Sequence, residues 1–166
     1  MSLPTPSTSV GEKPLVVLFD GVCDLCNAWV TWVIDRDPLC RMRFLPLQSA
    51  AGEALLKAAG VGEVPLSTIV VVEQGRAFVR STAVLRVART LQGPWRWAWP
   101  PFVWVPAPLR DIVYRAVAAS RYRLFGKRET CRVPTPELRA HFLDANDVAA
   151  ALAMVKPLRA GERTAA

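Results

Sequence analysis

Between residues 14 and 92 the apolar positions come in short blocks whose spacing alternates between two periods. Pro14 to Phe19 is a valine-rich run ending in the turn signal Asp20-Gly21, which predicts a buried strand. Leu25, Trp29, Trp32 and Val33 then recur at helical spacing until Asp37-Pro38 stops the pattern. Met42 to Leu47 predicts a second strand, with Pro46 pointing to an edge position or an exit. Ala50 to Ala59 is a run of strong helix formers closed by Gly60. Thr68 to Val72 predicts a third strand, which Gln74-Gly75 turns into a fourth at Arg76 to Arg80. Ser81 or Thr82 is placed to cap a helix that reaches Leu91 before Gly93-Pro94 ends it.

This order predicts an α/β fold. Two parallel strands joined by a helix, then a hairpin, make a small mixed four-stranded sheet flanked by helices. The rest predicts a helical C-terminal extension. Leu109, Ile112, Val113, Ala116 and Val117 form an amphipathic stripe on a helix over 108–120, and Pro136 opens another that runs to Met154. The expected organisation is a flexible arm over 1–13 and a core domain over 14–92. A Trp/Pro-rich and Arg-rich extension follows over 93–155, packed on the core, with a flexible tail over 156–166.

Composition narrows the class. At 166 residues, 52% hydrophobic and 21% charged, the chain can build a core without staples and is not a disordered polymer. Four cysteines are too few for a disulfide scaffold. The N-terminus lacks the pattern of a secretory signal, and no apolar stretch is long enough for a membrane span, so a cytoplasmic protein is expected. The net charge of +7 is uneven: residues 1–75 carry 5 basic against 8 acidic residues, and residues 76–139 carry 13 against 3. The basic segment invites a nucleic-acid or anionic partner, but no recognition-helix or RNA-sheet signature accompanies it, so nucleic acid is disfavoured.

The chemistry concentrates in Cys23-Asp24-Leu25-Cys26, where the first strand turns into the first helix. Unpaired N–H groups and the helix dipole favour a thiolate on a sulfur at a helix N-terminus. Cys23 is therefore the expected attacking thiolate, and Cys26, one turn deeper and more shielded, the resolving thiol. Beside a strand–helix–strand pattern, this spacing reads as a thioredoxin-like redox site.

Phe19-Asp20-Gly21-Val22-Cys23-Asp24-Leu25-Cys26-Asn27 resembles the signature of the DCC family of predicted thiol–disulfide oxidoreductases, with Asp20, Cys23 and Cys26 on its Asp-x-x-Cys-x-x-Cys motif. The resemblance continues through Phe44-Leu45-Pro46-Leu47-Gln48, Arg80-Ser81-Thr82-Ala83, Pro108-Leu109-Arg110-Asp111, Arg121-Tyr122-Arg123-Leu124-Phe125-Gly126 and Cys131. It implies a thioredoxin-like fold and a redox role. Asp20 then has two compatible readings: a proton acceptor for Cys26, or a carboxylate that orders the turn through backbone N–H groups. Asp24 disfavours a thiolate at Cys23, which inclines the couple towards reduction rather than oxidation.

Several residues admit other readings. Cys23 and Cys26 are also half a zinc site, with Cys40, Cys131 and His141 as candidates to complete it. The favoured readings leave Cys40 a small partly buried residue, Cys131 structural or incidental, and His141 a surface or satisfied residue on an amphipathic helix. Pro65, before Ser67 to Val70, is a weak candidate for the cis-proline that faces the dithiol in thioredoxin-like proteins, against a trans loop proline. Trp95, Trp97, Trp99 and Trp104 either border a groove or a membrane surface, or belong to a proline-bent segment packed over the sheet with Arg96 exposed. The packed reading is favoured.

The expected protein is a dithiol–disulfide oxidoreductase without a bound cofactor or metal. Cys23 attacks, Cys26 resolves and Asp20 assists. Its partners are a protein or small-molecule disulfide and a thiol reductant that recycles the site. The alternatives are an interaction module with a structural or zinc-binding dithiol, or a basic protein that binds nucleic acid or an anionic surface.

Overall fold

In the computed structural model, residues 14–62, 64–66, 68–126 and 138–154 are described, and among them four strands build one sheet. The strands are β1 (Leu15–Phe19), β2 (Met42–Pro46), β3 (Val70–Glu73) and β4 (Arg76–Val79), in the order β2-β1-β3-β4. β1 pairs parallel to β2 and antiparallel to β3, and β3 pairs antiparallel to β4. Helix α1 (Asp24–Ile34) makes the parallel crossover. The result is a thioredoxin-like α/β fold with a mixed sheet flanked by helices. Pro46 closes the edge strand β2, where its missing N–H breaks no ladder.

All five residues of β1 are buried, so its alternate side chains feed two cores. Leu15, Val17 and Phe19 join Val30 and Val33 of α1 and Ala83 and Val87 of α3 (Arg80–Thr90). Val16 and Leu18 join Leu45 of β2, Leu55 of α2 (Ala50–Ala58) and Ala151 of α6 (Val148–Met154). Each of the valine, leucine and phenylalanine side chains contributes about 1.5–3 kcal/mol by leaving water. Helices α4 (Trp95–Val103) and α5 (Ala107–Phe125) pack on the α3 side.

Three local expectations change. The third strand starts at Val70 rather than Thr68, because the Ile69 N–H is taken by the Tyr114 hydroxyl of α5 at 2.8 Å. Neither Ser81 nor Thr82 caps α3; the helix begins at Arg80 behind Val79 without a side-chain cap. Asp111 of α5 substitutes for that cap, accepting the Ser81 N–H at 3.4 Å and the Ser81 hydroxyl. The helix expected from Pro136 to Met154 is broken: residues 136–137 lie outside the described residues, Arg139–His141 is a 3-10 turn, and Phe142 bridges to Phe44 before α6 begins. Phe142 leaves the helical pattern to pack its ring on Phe19 and Phe44, at 6.1 and 5.9 Å between centroids.

The structure also sets the orientation of α5. Its apolar stripe points outward: Leu109, Ile112, Val113 and Val117 are all exposed. The inward positions are polar, with Asp111 and Tyr114 half-buried and Arg121 buried. Hydrogen bonds and ion pairs, rather than apolar burial, tie this helix to the core. In the tryptophan segment α4 itself packs against α3, while Trp97 and Trp104 are 74% and 88% exposed and the side chains of Trp95 and Trp99 lie outside the described residues. The expected arm over 1–13, the tail over 156–166 and Cys131 lie outside the described residues.

Candidate active site

β1 ends at Phe19, and the backbone turns through Asp20-Gly21-Val22 into α1. The Cys23 N–H donates to the Asp20 carbonyl at 3.3 Å, and the Val22 N–H donates to Asp20 Oδ1 at 3.2 Å. The carboxylate thus orders the turn, as one of its two readings holds. Asn27 fastens the turn from α1, donating from Nδ2 to the Gly21 and Cys23 carbonyls, both at 2.9 Å.

Cys23 is the N-cap of α1, and its Sγ accepts the Cys26 N–H at 3.3 Å. An orphan donor of the first turn therefore points at that sulfur. The expected difference in shielding is not found: Cys23 is 0% and Cys26 7% exposed. Capping turns the Cys23 sulfur toward the helix instead of the solvent. Burial pushes the Cys26 thiol far above its ordinary range, and the hydrogen bond and negative charge of Cys23 push the same way. Arg121 opposes that shift.

Arg121 was missed as a site residue by sequence reasoning, although it opens one of the matched blocks. Its Nη2 donates to Asp20 Oδ2 at 2.7 Å, with side-chain exposures of 4% and 1%. The same atom lies 2.7 Å from the Tyr122 hydroxyl, which also donates to Asp20 Oδ2. Gln48 closes the other side: its Nε2 donates to Asp20 Oδ1 at 2.7 Å, and its Oε1 accepts the Gly21 N–H at 3.3 Å. One buried carboxylate thus gathers the turn, the end of β2 and the last turns of α5. Burial pulls the Arg121 guanidinium down, but its hydrogen bond with Tyr122 and the neighbouring thiol and phenol groups outweigh that and leave it raised.

Three of the blocks that resembled one family when read as separate strings, those of Asp20, Gln48 and Arg121, meet here in space. Residues 17–127 match the family model of the DCC1-like thiol-disulfide oxidoreductases. The chain belongs to this family. An uncharacterised protein of Bacillus subtilis strain 168, YuxK, is 44% identical over 128 residues, spanning 77% of this chain and 93% of its own. A chloroplastic DCC family protein of Arabidopsis thaliana is 37% identical over 122 residues, spanning 74% and 71%. No solved structure matches significantly. Within this DCC chain, Asp20 and Gln48 join Arg121 and Tyr122, while Ser81 joins Asp111.

The remaining candidates fall elsewhere. Pro65 is exposed and in a trans linkage, and its carbonyl closes a loop turn by accepting the Thr68 N–H at 2.9 Å. It does not supply a cis-proline; its neighbour Leu66 reaches the site, with a carbonyl 3.5 Å from Arg121 Nη2. A groove of about 860 Å³, lined by Leu56, Lys57, Val61 and Val64 among others, includes both Gln48 and Leu66. Cys40 and His141 pair with each other, Sγ to Nε2 at 3.5 Å, beyond the far end of α1 from Cys23. Eleven helical residues put about 16 Å between the two places, so this pair cannot complete a site at the dithiol. His141 is neither at the surface nor fully satisfied: it is buried, its Nδ1 has no partner, and burial lowers its pKa. Among the described residues no group of three His, Cys, Asp or Glu is arranged to hold a metal, and no helix is long and apolar enough to cross a membrane.

Proposed function

We propose that the protein is a dithiol–disulfide oxidoreductase in which Cys23 attacks and Cys26 resolves. The observation that carries this is the pairing at the start of α1, where Cys23 Sγ accepts a helix N–H while Cys26 holds its proton against Cys23. The Cys23 thiolate attacks one sulfur of a substrate disulfide, forming a mixed disulfide and expelling the other half as a thiolate. Cys26 then loses its proton and attacks the Cys23 sulfur. The second substrate thiolate leaves, the Cys23–Cys26 disulfide closes, and two electrons have passed to the substrate. A thiol reductant returns the site to its dithiol form, and no bound cofactor takes part.

Asp20 holds Arg121 beside Cys26, and that positive charge offsets part of the cost of ionising a buried thiol, against the smaller opposing effect of the Asp20 charge itself. The groove at Gln48 and Leu66 is where an extended segment next to the substrate disulfide lies. The proton held on Cys26 leaves the reduced pair without a second thiolate to stabilise it, which supports reduction as the working direction. That direction fits a cytoplasmic or similarly reducing compartment.

The test is disulfide reductase activity with single cysteine variants. Cys23→Ser abolishes it, and Cys26→Ser accumulates a covalent mixed disulfide through Cys23. Stoichiometric zinc in the purified protein, or activity surviving Cys23→Ser, defeats the reading. A reduction potential near about −270 mV supports the reducing direction, and one near about −120 mV overturns it.

A further inference from the structure

We propose that the outward face of α4 and α5 docks on an anionic lipid surface. On α5, Leu109, Ile112, Val113 and Val117 recur at helical spacing on a single exposed face. Phe102, Val103, Trp104 and Val105, at the end of α4 and in the link between the helices, are also exposed, and Trp97 lies exposed earlier on α4. Scattered exposed apolar residues are ordinary, but nine large ones between residues 97 and 117 mark a contact surface.

Charge selects the occupant. Across residues 95–125 the only acidic residue is Asp111, and its carboxylate turns inward to Ser81 and Arg80. The outward cations are Arg115 and Arg123, both exposed. A face of tryptophan and aliphatic residues bordered by arginines, without an exposed carboxylate, suits the boundary between acyl chains and anionic headgroups. A second copy of the same chain is a poorer fit, because a symmetric contact sets arginines against arginines with no carboxylate to pair them. The opposite side of α5 holds Tyr114, Arg121 and Tyr122, so the dithiol lies across one helix from the docked face.

The experiment is co-sedimentation of the full reduced chain with vesicles. Mixed phosphatidylglycerol–phosphatidylcholine vesicles pellet the protein and pure phosphatidylcholine vesicles do not; raising the salt concentration releases it. Trp104→Ser, at a position that makes no core contact, weakens partition while leaving the circular dichroism spectrum unchanged. Arg115→Gln with Arg123→Gln weakens it by about 30-fold, taking the usual contribution of a basic residue at an anionic surface. Cys23→Ser partitions like the parent, which separates this result from the fate of the thiol chemistry. Absence of binding to both vesicle types, equal binding to both, or a dimer in sedimentation equilibrium that Trp104→Ser dissolves overturns the proposal.

Discussion

Replacing Arg121 with leucine tests whether one buried ion pair holds the extension to the site. The Arg121 and Asp20 side chains are 4% and 1% exposed and meet at 2.7 Å, so solvent screens the pair little. Removing one partner of a buried pair costs about 3–5 kcal/mol, most of it from the charge left behind. Asp20 keeps its bonds from the Val22 N–H, the Gln48 amide and the Tyr122 hydroxyl, which places the cost at the lower end, about 3 kcal/mol. For a chain of this size that corresponds to a fall of roughly 6–12 °C in Tm. The assay is thermal unfolding of the reduced protein by circular dichroism, for Arg121→Leu, Asp20→Asn and the double variant. The double variant recovers at least half of the loss, because an amide at position 20 needs no counter-charge. A fall of less than about 3 °C, or a double variant no more stable than Arg121→Leu, refutes the reasoning.

Other consequences follow from particular contacts. The Cys26 thiol is raised in the folded protein, so the unfolded chain releases that proton first as pH rises past about 8.5; stability is complete below that pH and declines above it. Melting curves of the reduced protein between pH 7 and 10 show the decline, and Cys26→Ala removes that component. Closure of the disulfide, followed by stopped-flow fluorescence after mixing with a disulfide, keeps accelerating over the same pH range for the same reason. Gly52→Ala puts a Cβ 2.4 Å from the Pro46 carbonyl, a backbone atom that cannot yield, and costs about 1–3 kcal/mol in urea unfolding; an unchanged midpoint contradicts this. Tyr114→Phe leaves the Ile69 N–H without its acceptor and costs about 1–3 kcal/mol in the same assay, with an amide at position 69 that exchanges faster with solvent.

The continuous apolar run of β1, the helical spacing from Leu25 to Val33 and the turn signals at Asp20-Gly21 and Gln74-Gly75 were enough to order the elements of the sheet. These signals are local: each depends on residues within a few positions of one another. The dithiol was legible for the same reason, since the spacing of Cys23 and Cys26 and the helix N-terminus are properties of one short segment. Arg121 was not, because a single arginine among many carries no mark of burial until a carboxylate 101 positions away is brought against it. The same absence of a local mark hid the Asp111 cap on α3 and the Cys40–His141 pair.

The periodicity of α5 established that it is an amphipathic helix but not which face turns inward. In most surface helices apolar burial decides that question. Here the inner face is decided by long-range partners: Ser81 and Arg80 for Asp111, the Ile69 N–H for Tyr114, and Asp20 for Arg121 and Tyr122. A buried carboxylate and an unpaired backbone donor cost more when left unmet than an exposed leucine does, so the polar side of α5 goes in and the apolar side stays out. Sequence alone therefore determined where the sulfurs sit in the chain and which elements carry them, whereas the tertiary structure decided what surrounds those sulfurs and what the protein shows to its surroundings.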